Sequence, residues 1–180
     1  LSEVHIGWTE SVAEREVRVD VISSAWRAAY GHIFSDAEIS GLFDGRLDGQ
    51  GSWVPARLAP AGTLAARRAG RLVGLASLGL LRGGDAELAA LYVRPEEQGR
   101  GIGTALWSRA LEEFRTAGCP RMEVWTLSRS DARGFYEARG CVPVKEGTFT
   151  VAAHVEAVVG YALDLRASPG STSGESRPRR

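Results

Sequence analysis

Three glycines fall within six residues at Gln98-Gly99-Arg100-Gly101-Ile102-Gly103, where strand-like character gives way to helix-like character. Glycine has no Cβ, so a bulky anion can approach the backbone and successive amides can point into one concavity. A helix that begins there adds free N–H groups and a partial positive charge. The chemistry open to this segment is the holding of a phosphate or pyrophosphate. Two common phosphate loops are excluded. The pattern G-x-x-x-x-G-K-[ST] is absent. The dinucleotide pattern G-x-G-x-x-G/A fails in both registers, because Thr104 or Leu106 occupies its last place.

The elements that must position this loop can be read from period and punctuation. Residues 4–8 form a short strand. Ser11-Val12-Ala13-Glu14 has the form of a capping box, and the helix it opens carries Val17, Val21, Ile22, Ala25, Trp26 and Ala29 at helical spacing, ending near Tyr30-Gly31. A second capping box, Ser35-Asp36-Ala37-Glu38, opens a shorter helix that reaches about Phe43 and stops at Gly45. Residues 44–62 are rich in Gly and Pro and read as irregular, with Trp53 a candidate lid. Residues 63–68 and 71–79 flank Ala69-Gly70 as a hairpin, and residues 86–93 follow as the next antiparallel strand. The helix after the glycine loop shows Ile102, Leu106, Ala110, Leu111, Phe114 and Ala117 on one face and ends at Gly118. A strand at 121–127, a helix at 131–139 and two strands at 142–150 and 155–165 complete the order. That order implies a mixed α/β layer fold, with a right-handed crossover between the strands on either side of the loop helix.

Two stretches resemble one known family. Leu91-Tyr92-Val93-Arg94-Pro95-Glu96 followed by Gln98-Gly99-Arg100-Gly101-Ile102-Gly103 is similar to the lead-in and Q/R-x-x-G-x-G/A signature of the GNAT acetyltransferase superfamily. Ala132-Arg133-Gly134-Phe135-Tyr136-Glu137-Ala138-Arg139-Gly140-Cys141 resembles its A-x-x-F-Y-E-x-x-G-F. The likeness covers residues 3 to 165, in the family's order of elements. It implies a central, mostly antiparallel sheet of about seven strands with four helices, splayed between strands 4 and 5, in a single domain over residues 1–166.

The resemblance also implies an acyl-CoA lying in that opening. Its contacts would be the strand edge at Leu91, Tyr92 and Val93, the loop residues Gln98, Gly99, Arg100, Gly101, Ile102, Gly103 and Thr104, and then Arg129 and Ala132. The amide of Leu91 would face the thioester carbonyl, as a donor to a developing oxyanion. Tyr136 stands where the family keeps a tyrosine as general acid. A phenol of pKa about 10 facing a thiol near 8.5 makes full proton transfer uphill by only about 2 kcal/mol. Simple packing on the sheet is the other reading of Tyr136. Glu87 matches the spacing of a general-base glutamate, and alternation places it with Ala89, Leu91 and Val93; a surface glutamate is its other reading. Arg129 replaces an Asn that commonly touches the pantetheine, so either Arg129 reaches the phosphates or Ser128 or Ser130 takes over.

For the acceptor, Trp26-Arg27-Ala28-Ala29-Tyr30 resembles the W-R-x-A-Y of a family subgroup. Tyr30 and Phe34 are the pocket candidates, Trp26 reads more as core, and His154 is an alternative base or an exposed turn residue. The implied activity is transfer of acetyl from acetyl-CoA to a primary amine by direct attack, through a tetrahedral intermediate. A small-molecule acceptor is favoured over a protein N-terminus or lysine, and a non-catalytic acyl-CoA-binding module is the remaining alternative.

Composition sets the outer limits. With 44% hydrophobic and 24% charged residues and a formal net charge of zero, the chain lacks the basic excess expected of a nucleic-acid binder. It shows neither an apolar run of spanning length nor a signal-peptide pattern, so a cytoplasmic, membrane-free location is expected. Cys119 and Cys141 are too few for a disulfide framework or a metal site. No metal is expected, homodimerisation stays open, and the Ser/Gly/Pro/Arg-rich residues 167–180 are expected to be disordered.

Overall fold

The computed structural model describes residues 3–9, 14–43, 59–81 and 83–166. Its elements run β1 (Val4–Thr9), α1 (Arg15–Tyr30), α2 (Asp36–Phe43), β2 (Ala59–Arg68), β3 (Arg71–Leu80), β4 (Ala86–Val93), α3 (Ile102–Thr116), β5 (Arg121–Leu127), α4 (Ala132–Glu137), β6 (Val142–Val151) and β7 (His154–Asp164). One 3-10 turn, Pro95–Glu97, links β4 to the glycine loop. The strands form a seven-stranded sheet in the order β1-β2-β3-β4-β5-β7-β6. Only β4 and β5 run parallel; the other neighbours are antiparallel. This is the mixed, mostly antiparallel sheet that the order of elements implies.

Helices cover both faces of the sheet. On one face Ile102, Leu106, Ala110, Leu111 and Phe114 of α3 pack with Leu64, Ala76, Leu78 and Leu88 of the hairpin strands, with Met122 and Val124 of β5 and with Tyr136 of α4. Gly74 lets α3 come this close: a Cβ there would meet the Tyr92 carbonyl oxygen at 3.0 Å and Leu106 Cδ1 at 3.2 Å. On the other face Val21 and Ile22 of α1 lie on Ala65, Leu75, Ala90 and Tyr92. Beside them Trp26, Tyr30, Phe34 and Ile39 of the α1–α2 unit join Leu127 and Val151. Arg94 closes the end of β4 onto this layer, donating from Nε to the Leu72 carbonyl at 2.9 Å and pairing with Asp20 of α1 at 2.6 Å.

Several expectations shift in detail. Val17, Ala29 and Ala117 lie on exposed surface, so the apolar stripes of α1 and α3 are narrower than their spacing suggests. β2 begins at Ala59, inside the stretch read as irregular; residues 44–58, with Trp53, and residues 167–180 lie outside the described residues. Ser11 of the first capping box also lies outside them, and α1 has Glu14 at its N-cap position, without a side-chain cap. Glu14 instead accepts a 2.6 Å hydrogen bond from the Thr9 hydroxyl and pairs with Arg67. The second capping box forms as expected. Ser35 donates to Glu38 from its amide and its hydroxyl, both at 2.8 Å, and the Glu38 amide returns to Ser35 Oγ at 3.3 Å.

Because α2 has only eight residues, this cap is a sizeable part of its local stability. Ser35→Ala should lower the free energy of unfolding by about 1 kcal/mol, read as a lower urea midpoint at unchanged m-value.

Candidate functional site

The parallel pairing of β4 with β5 extends over only two residue pairs, Ala86 with Met122 and Glu87 with Glu123. Beyond them the strands diverge. The opening is a cleft of about 900 Å³, walled by Leu88 to Val93 of β4 and Val124 to Leu127 of β5, with the glycine loop and α4 at one side and α1 and β6 at the other. β4 also carries a bulge, because Ser77 pairs with Ala90 while Leu78 pairs with Leu88, leaving Ala89 over. A bulge bends the strand and advances its facing by one residue.

The loop at one mouth is built for an anion. Gly99 and Gly101 have φ of +71° and +80°, and a Cβ at either would meet nothing within 4 Å. Left-handed backbone there turns successive amides to one side, at small cost only for glycine. α3 begins directly after Gly101, without a side-chain cap and without an acidic residue in its first turn. Its first amides are therefore available to an external anion. Gln98 braces the loop, donating to the Val93 carbonyl at 3.1 Å. Gln98, Gly99, Gly101, Ile102, Gly103 and Thr104 all line the cleft. The side chain of Arg100 does not; it is half exposed and lies 3.8 Å from Glu97. Arg139, which the motif reading passed over, stands beside the loop. Its guanidinium donates to Thr104 Oγ1 at 2.7 Å and covers the Phe135 ring at 3.5 Å from the centroid. No local signal marks it, since the contact joins the turn after α4 to the start of α3.

Further along the cleft stand three tyrosines from three elements: Tyr30 of α1, Tyr92 of β4 and Tyr136 of α4. Tyr136 is buried among Trp107, Phe135 and Tyr161. Its hydroxyl makes no hydrogen bond among the described residues. Burial, with Tyr30 and then Cys141 adding, pushes its pKa well above the ordinary phenol value. Tyr92 is pushed up still further by burial and by Tyr30, against a 2.9 Å hydrogen bond that its oxygen accepts from Trp26 Nε1. Both phenols are therefore hydrogen-bond donors, held neutral.

The other expected site residues divide. Leu91, Val93, Ala132, Trp26 and Tyr30 line the cleft. Trp26, read as core, is both core and wall. Phe34, read as a pocket residue, is 1% exposed, does not line the cleft, and packs its ring on His154 with centroids 4.9 Å apart. His154 lies outside the cleft as well, 2.8 Å from Glu156 and 3.6 Å from Glu38. Arg129 does not reach toward the loop. It pairs with Glu156, so the cleft wall at that turn is Ser130, Asp131 and Ala132.

Glu87 requires the largest correction. The Ala89 bulge puts it on the face of Ala90 and Tyr92 rather than that of Leu91 and Val93. It is 2% exposed and lies at the closed end of the splay beside Glu123, so it does not line the cleft. Trp125 and Phe149, which do line it, were not foreseen.

The sheet is opened in mid-span, with an uncapped helix start at one mouth and neutral phenols along its walls, a shape that suits an elongated anionic ligand. The acetyltransferase (GNAT) family pattern matches residues 21–141, and the chain belongs to that family. It is 34% identical over 87 residues to the uncharacterized N-acetyltransferase YuaI of Bacillus subtilis (strain 168), an overlap of 46% of this chain and 50% of that protein. The chain thus spans about half the length of that curated relative. Among solved structures, the PaiA N-acetyltransferase of Thermoplasma acidophilum in complex with coenzyme A superimposes with a TM-score of 0.71 at 19% identity, covering 88% of this chain and 98% of that one. The yncA protein of Salmonella typhimurium with acetyl-CoA gives a TM-score of 0.63 at 19% identity, covering 96% and 100%. At these identities the structural likeness shows the fold. Among the described residues no helix is long and apolar enough to cross a membrane, and no cluster of His, Cys, Asp or Glu could hold a metal ion.

The raised phenols give a test of the site's electrostatics. The unfolded chain ionises its tyrosines near pH 10, before Tyr92, Tyr136 and the likewise raised Tyr161 do so in the folded protein. Their contribution to stability is therefore complete below about pH 10 and is lost as pH rises beyond it. Absorbance titration at 295 nm should show these three ionising late, together with unfolding, and Tyr136→Phe should remove one phenol from that late phase.

Proposed function

We propose that this chain is an N-acetyltransferase that moves an acetyl group from acetyl-CoA to the primary amine of a small molecule. The observation that carries the proposal is the interruption of β4–β5 pairing after two residue pairs, which opens the sheet between the glycine loop and the tyrosines. Acetyl-CoA brings an activated acyl group and a thiolate that can leave. The residues present suit such a molecule. The uncapped amides of α3 and the loop from Gln98 to Thr104 would take the pyrophosphate, and Arg139 adds a positive charge beside them. The β4 edge at Leu91, Tyr92 and Val93 would run along the pantetheine arm, with the thioester at Leu91. At the turn after β5, Ser130 takes the place that Arg129 has left.

Tyr136 would donate a hydrogen bond to the departing sulfur. Burial penalises its phenolate, so full proton transfer costs more than the ~2 kcal/mol that unperturbed pKa values suggest. Donation without transfer is thus the role we assign it. Proton removal from the amine is assigned to water at the open cleft. Neither Glu87 nor His154 lines the cleft, and the carboxylate among its described lining residues, Asp131, belongs to the start of α4.

The main test is release of free thiol from acetyl-CoA across a panel of primary amines, alongside the thermal shift acetyl-CoA produces. Absence of both would end the proposal. Tyr136→Phe should lower kcat by about ten- to a hundredfold while leaving the acetyl-CoA dissociation constant within about twofold. Glu87→Gln should leave the pH–rate profile unchanged, and displacement of that profile to alkaline pH would restore Glu87 as the base.

A further inference from the structure

The acceptor side of the cleft has a composition of its own. Trp26 and Tyr30 from α1, Tyr92 from β4, Trp125 from β5 and Phe149 from β6 line it. Four of these rings form a continuous set: Trp26 stands 4.8 Å from Tyr30 and 5.9 Å from Phe149, centroid to centroid, and its indole N–H is tied to the Tyr92 hydroxyl. Trp125 packs against two glycines. It faces Gly160 in register across β5 and β7, where a Cβ would come within 3.0 Å of the indole, and a Cβ at Gly147 of β6 would stand 3.6 Å from it. The sheet thus gives up two side chains where this ring rests on it. Among the described residues lining the cleft, the ionised side chains are Asp131 and Arg139, both at the α4 side, and His32 is the titratable group in the turn after α1.

On the acetyltransferase reading, we infer that the acceptor is a primary amine carried on a flat aromatic body, of the arylalkylamine class. A polyamine would need carboxylates for its further ammonium groups, and an amino acid would need a cation for its carboxylate. The described acceptor wall supplies neither. What it supplies is ring faces and edges around a slot, which favour an aromatic ring by offset or edge contact and by exclusion of water.

The inference is tested with 2-phenylethylamine, spermidine and L-lysine as acceptors, following thiol release at saturating acetyl-CoA. We expect kcat/KM for 2-phenylethylamine to exceed that for the other two by about tenfold or more. Trp125→Ala should raise its KM by about tenfold with the KM for acetyl-CoA unchanged, and Phe149→Leu provides the same test if the first variant does not fold. Equal or better turnover of spermidine or L-lysine overturns the inference and leaves acetyl transfer standing. If none of these three amines releases thiol, the acceptor class is read from binding instead. Calorimetry of the three amines against CoA-saturated protein then decides the acceptor class: preference for 2-phenylethylamine upholds it, and preference for either other amine overturns it.

Discussion

The fold turns on a sheet that stops pairing. β4 and β5 share two residue pairs and then separate, although β4 remains bonded to β3 and β5 to β7 along their lengths. Unpaired strand edges inside a protein leave backbone groups without partners, which is costly unless a ligand or water takes their place. Here the gap is held open from both faces. α3 and α4 pack on one, α1 and α2 on the other, and their aromatic side chains fill the space beside the gap without closing it. Every feature of the site is placed relative to that gap, from the glycine loop to Tyr136 and Trp125.

This geometry separates two tasks by chemistry. The end beside α3 is polar and cationic, with uncapped amides, two left-handed glycines and Arg139. The end beside α1 and β6 is made of rings. Tyr136 lies between the two, neutral because burial makes the phenolate expensive. A group kept neutral in this way is a hydrogen-bond donor and a poor proton store. Charges that would disturb the ring-lined end are tied up elsewhere. Arg129 is paired with Glu156, and Glu123 is neutralised by Lys145 and Arg121.

The parts legible in advance share one property: their meaning is local in the chain. Gly99 and Gly101 announce a left-handed turn wherever they occur, and Ser35 with Glu38 announces a helix start. The Ile102–Phe114 spacing announces a buried face. The parts misread were those that depend on a partner elsewhere. Strict alternation assigned Glu87 to the face of Leu91, and a single extra residue at Ala89 reversed it. The bulge is set by the match of β3 to β4, which period-two reading of β4 alone does not contain. For Arg129 the motif left two readings, reach to the phosphates or replacement by Ser128 or Ser130, and it is Glu156, 27 residues away, that holds it.

Read by itself, the chain determined the order of elements, the glycine loop at the start of α3, the tyrosine on α4 and the family they resemble. These follow from backbone freedom, hydrophobic period and capping, all of which act over a few residues. Tertiary structure alone decided where the sheet opens and which face Glu87 takes. It also decided that Trp26 is wall as well as core, and that Trp125 lies on Gly147 and Gly160 to make a floor of rings. Those outcomes depend on which side chains meet across strands and layers. Such meetings are fixed by packing volume and pairing register over the whole molecule, and no short stretch of the chain carries them.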